Sequence, residues 1–176
     1  SLSKDIIKEG GYDVAILQEV STTHARYADG SNTSALSEAQ ILAGDIMASS
    51  PACRIILENT WAYSKSSYMG YGSYASFDEM LRKGCSRIAS AIGAEISPIG
   101  YAFEAARNNH KDIKCLHTDS HHPSVSGTYL KSCVNYLTIF GAERFDEPAE
   151  DGELSNDVAS RLRETALNEY HNFTNH

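Results

Sequence analysis

Asp119 and His122 stand three positions apart in the run Asp119-Ser120-His121-His122-Pro123. In a turn, that spacing lets a carboxylate reach the imidazole Nδ1–H and leaves Nε2 free to move a proton. The chemistry on offer is general base catalysis, with His122 as base and Asp119 as the acid that orients it. Each residue also has a plainer use: aspartate often caps a helix, and a histidine at a helix start is ordinary surface. No residue in the chain looks like the nucleophile such a base would serve. Ser21 lacks any Gly-x-Ser-x-Gly elbow around it.

His117 and His121 crowd the same stretch and open a metal-assisted alternative through His117, Asp119 and His122. Adjacent His121 and His122 cannot easily face one ion, and catalytic zinc usually draws its ligands from separate elements. No metal and no cofactor is therefore expected.

Elements must hold these residues in place. Asp13-Val14-Ala15-Ile16-Leu17 is an apolar run after two glycines, the pattern of a strand buried on both faces. A polar loop is expected from Ser21 to Thr33. Ala39, Leu42, Ala43, Ile46 and Met47 then recur at helical spacing until Pro51, and Arg54-Ile55-Ile56-Leu57 reads as a second strand. Ser76 and Glu79 form a capping-box pattern ahead of a helix that Gly93 would close. Ala94–Pro98 is a third strand, and Tyr101–Asn108 a short helix. The stripe Tyr129, Leu130, Cys133, Val134, Leu137 and Phe140 is a further helix, closed by Gly141. An acidic linker from Glu143 to Glu153 leads to a last helix over Asp157–Tyr170.

Strands alternating with helices predict an α/β fold, a three-layer sandwich on a parallel sheet. Three strands are few for such a sheet, so one or two more are expected upstream of Ser1. The main domain is expected over 1–141, with 142–176 forming the linker and a helix packed on the same domain.

Bulk composition sets limits. The chain has 176 residues and a net charge of −8, which disfavours a nucleic-acid partner and leaves no basic stripe for a membrane surface. The four cysteines show neither a CxxC pair nor zinc-ribbon spacing, and read as small buried hydrophobes.

Several segments together resemble the SGNH (GDSL-like) hydrolases, in an uncharacterised bacterial branch. They are Tyr12 to Ser21 (YDVAILQEVS), Thr60-Trp61-Ala62, Pro98-Ile99-Gly100, and His122-Pro123-Ser124 continuing into Gly127-Thr128-Tyr129-Leu130. The resemblance implies a flavodoxin-like fold and a serine that attacks an ester carbonyl. It makes His122 the base, Asp119 its orienting acid, and Gln18 the side-chain donor to the oxyanion. The Gly-Asp-Ser or Gly-Asn-Ser block that carries the serine is absent, and the glycine donor of the oxyanion hole has no counterpart. The resemblance therefore implies a nucleophile upstream of Ser1, and a periplasmic or secreted setting.

The expected substrate is a small acyl ester or an acylated carbohydrate. Trp61 and Tyr63, in an aromatic loop with Tyr68 and Tyr71, could form a stacking wall for it, while Glu19 shares the loop of Gln18. The rival reading from another class is a non-catalytic glycan-binding module on the same fold, since fold alone does not fix function.

Overall fold

The computed structural model describes residues 2–64, 68–141, 145 and 153–175. Apart from Phe145 and Glu153, the expected acidic linker lies outside the described residues. The chain is α/β with a small parallel three-stranded sheet in the order β1-β2-β3. Its contacts divide it into two compact units, Ser1–Asn59 with Glu79–Ile96, and Thr60–Asp78 with Ser97–His176.

The first unit holds α1 (Leu2–Glu9), β1 (Val14–Leu17), α2 (Ser21–Asp29), α3 (Ala35–Ser49) and β2 (Arg54–Glu58). Most of α4 (Tyr74–Ile92) and the start of β3 (Glu95–Ser97) complete it. β1 and β2 pair in register from Val14 opposite Arg54 to Leu17 opposite Leu57. Alternation along β2 sends Ile55 and Leu57 to one face. There they pack in two clusters with Ala43 and Ile46 of α3 and with Cys85, Ile88 and Ala89 of α4. Ile56 and Glu58 are buried on the opposite face. Arg54 grips Glu95 through two hydrogen bonds of 2.8 Å, tying β2 to β3 at the surface.

Three expectations need correction here. β1 is not buried on both faces: among the described residues it pairs with β2 alone, and Ile16 is 40% exposed. The supposed polar loop after Ser21 contains α2, which buries only Ser21, His24 and Ala25, too narrow a face to show as an apolar stripe. The cap of α4 is Ser73, whose Oγ accepts the N–H of Ser76 at 3.0 Å, so the helix starts earlier than the capping-box pattern placed it. All four cysteines are free and buried.

The second unit holds α5 (Ile99–Asn109), α6 (Val125–Phe140) and α7 (Asn156–Thr174), packed on one another. Its core joins Phe103 and Ala106 with Leu130, Val134, Leu137, Leu162 and other buried apolar side chains. The contacts do not divide at residue 141, because α7 buries Ala159, Leu162 and Ala166 as part of the same core as α5 and α6. Among the described residues, no helix is long and apolar enough to cross a membrane.

Candidate active site

The Asp119–His122 turn lies wholly in the second unit, between α5 and α6. Its stem is antiparallel. Leu116 and Pro123 form a bridge, the Ser124 N–H donates to the Cys115 carbonyl at 2.9 Å, and the His117 N–H donates to the His122 carbonyl at 2.8 Å. The loop reverses at Ser120, whose φ of 59° lies in the left-handed region, a conformation that costs a non-glycine residue about 1–2 kcal/mol.

Asp119 offsets that cost. Its Oδ1 accepts the backbone N–H groups of His121 and His122 at 2.9 Å each. Its Oδ2 lies 2.6 Å from His122 Nδ1. One carboxylate thus shapes the turn with one oxygen and orients the imidazole with the other. These bonds, led by the one from the His122 ring, hold the Asp119 carboxyl well below the usual carboxylate range. An ionised acceptor places the imidazole proton on Nδ1, so the neutral ring presents a lone pair at Nε2. Among the described residues Nε2 has no hydrogen-bond partner, and the side chain is 69% exposed. That is the arrangement a general base requires.

The segment before the loop braces the turn from below. Trp61 donates its indole N–H to the His121 carbonyl at 2.9 Å, and the Ser64 N–H donates to the Ser120 carbonyl at 3.0 Å. The Trp61 ring stacks on Phe103 with centroids 4.6 Å apart, while Tyr63 meets Phe77 edge-on and lies 4.1 Å from the His121 ring. The His121 and His122 rings are themselves stacked at 4.2 Å. Aromatic packing therefore runs from the core to the His122 ring.

The start of α6 fixes the turn from the other side. Ser124 caps the helix by accepting the Gly127 N–H at 3.1 Å, and its hydroxyl donates to the Lys114 carbonyl at 2.6 Å. A Cβ on Gly127 would lie 2.0 Å from the Cys115 carbonyl oxygen, a backbone atom with nowhere to retreat. Glycine here allows the helix to approach the stem of the turn.

The structure brings Asp119 and His122 into contact, as expected, with Trp61 and Tyr63 in the same unit. The stacking wall is corrected: Trp61 is 7% exposed and Tyr63 4%, so both are spent on packing and offer no open face. Gln18 and Glu19 belong to the first unit, where both are exposed after β1. Glu19 turns back to accept the Val20 N–H at 2.7 Å, a loop-shaping contact. Among the described residues, no group of three or more His, Cys, Asp or Glu side chains is placed to hold a metal ion.

No family model matches the chain, and no curated protein matches it. Among solved structures it is similar to a DUF4886 family protein from Bacteroides uniformis, with a TM-score of 0.78 and 16% identity. The match covers 94% of this chain and 64% of that one, so the chain spans less than two thirds of the length of the structure it resembles. At that identity the likeness speaks for the fold alone.

Proposed function

We propose that the protein is a serine-type ester hydrolase with the flavodoxin-like, three-layer SGNH fold, acting on an acylated carbohydrate or another small acyl ester. The observation that carries this reading is the Asp119 Oδ2 to His122 Nδ1 contact of 2.6 Å on an exposed turn, with Nε2 unpartnered among the described residues. In this reading the nucleophilic serine is carried by residues preceding Ser1.

The steps balance without a cofactor. His122 Nε2 takes the serine proton as Oγ attacks the ester carbonyl, then gives it to the departing alkoxide to release the alcohol. Water attacks the acyl-serine with His122 again as base, and the proton returns to serine as the carboxylic acid leaves. Asp119 stays ionised throughout and stabilises the imidazolium that forms twice per turnover. A glycan-binding module without catalysis draws less support, because Trp61 and Tyr63 are buried.

Labelling of the intact protein, including the residues before Ser1, with a serine-directed fluorophosphonate tests the proposal. One covalent adduct on a serine preceding Ser1 is expected, and absence of an adduct would contradict it.

A further inference from the structure

Beyond the end of α5 the chain turns through Lys111–Lys114 and returns as the stem of the Asp119–His122 loop. A cavity of about 590 Å³ opens between these segments, within the range of small-molecule sites. Arg107, His110, Lys111, Lys114 and His117 line it, and among the described residues no aspartate or glutamate does. In a chain with 23 acidic and 15 basic residues, a wall this one-sided in charge runs against the overall balance. Glu104, Asp112 and Asp119 adjoin lining residues in sequence but are outside the lining; Asp112 is held by Arg161 through bonds of 2.7 and 2.8 Å, and Asp119 by the turn and the His122 ring.

Among the described residues, no carboxylate pairs with Arg107, Lys111 or Lys114. The Arg107 guanidinium lies over the Tyr74 ring at 4.2 Å and makes no hydrogen bond among the described residues. A stacked guanidinium keeps its N–H edge available for a planar or tetrahedral oxyanion. Lys111 Nζ donates to the Arg107 carbonyl at 2.9 Å, and Lys114 Nζ to the Lys111 carbonyl at 2.7 Å. Each bond anchors an ammonium group and leaves two of its three donors for a ligand. His110 plays a different part. Arg161 donates to its Nδ1 at 3.2 Å, so its Nε2–H faces Thr165 Oγ1 at 3.0 Å, and the ring is a satisfied wall. Ser64, Thr118 and Ser120 add polar groups, and Phe103 and Leu116 an apolar surface.

We infer that this pocket binds an oxyanion, a carboxylate, sulfate or phosphate carried on a small molecule. Resting on the ester-hydrolase reading, that group is the acidic substituent of the substrate, since Thr118 and Ser120 of the pocket wall flank Asp119. Binding itself does not depend on that reading.

The single tryptophan supplies a reporter, because Trp61 stacks on Phe103 of the pocket wall. The full-length protein is titrated with sulfate, phosphate and glucuronate, with chloride holding ionic strength constant, and Trp61 fluorescence is followed. A saturable change is expected for at least one anion, and which one responds identifies the anion class. It should weaken tenfold or more in Arg107→Gln/Lys114→Gln and be unchanged in His122→Ala. Arg107→Lys, which keeps the charge but loses the fork, should fall between, and it serves as the variant if the double substitution fails to fold. No saturable response, or equal response in the charge variants, overturns the pocket. Anion binding without fluorophosphonate labelling would instead defeat only the hydrolase reading. Equal hydrolysis of acidic and neutral esters would defeat the substrate assignment.

Discussion

Asp119 divides its carboxylate between two tasks, accepting the backbone N–H groups of His121 and His122 on Oδ1 and facing His122 Nδ1 at 2.6 Å on Oδ2. The turn and the orientation of the ring are consequently set by one side chain. An amide in its place can keep Oδ1 as the acceptor that shapes the turn, but loses the negative charge opposite the imidazole.

Asp119→Asn should therefore fold with little loss and lower kcat for ester hydrolysis by about 10²–10⁴-fold, the range spanned by general-base and dyad lesions. Circular dichroism and steady-state kinetics on the same sample check this. Unchanged kcat in a folded variant would remove Asp119 from the mechanism.

Gly127→Ala tests the close approach of α6 to the turn. The new Cβ would meet the Cys115 carbonyl oxygen at 2.0 Å, so either the helix or the stem must move. Overpacking of this kind costs about 1–3 kcal/mol, and in a chain of this length each kcal/mol lowers Tm by about 2–4 °C. A thermal melt that does not shift would show that the helix start yields freely.

His24 gives the protein a pH dependence of its own. It is 1% exposed, its Nδ1 has no hydrogen-bond partner among the described residues, and burial pushes its imidazole down from 6.5 to about 4. The unfolded chain binds this proton below about 6.5 while the native state resists it until about 4, so stability is full above that window and falls as acid is added. The loss across the window is about 3 kcal/mol at most. Urea midpoints measured from pH 7.5 to 4 should decline, and His24→Leu should flatten the decline. An equal decline in the variant would assign it elsewhere.

Much of this is legible in the sequence. The Asp119–His122 contact follows from spacing and turn chemistry, and β2 and α6 follow from runs of apolar residues at the right period. What hid was tertiary. A strand's exposure depends on whether it has two neighbours, and β1 reads as buried from Val14-Ala15-Ile16-Leu17 although among the described residues it pairs with β2 alone. Trp61 and Tyr63 looked like ligand contacts because a glycine-containing loop gives no sign of what its aromatics pack on, here Phe103 and Phe77. The basic residues from Arg107 to His117 were in plain view, yet only folding shows that they line one cavity and that Asp112 is already taken by Arg161.

His122→Ala, made in the intact protein and assayed on 4-nitrophenyl acetate, tests the central claim most directly. The account predicts a native melt and a fall in kcat/KM of about 10²–10⁴-fold. Undiminished hydrolysis by the folded variant would contradict it.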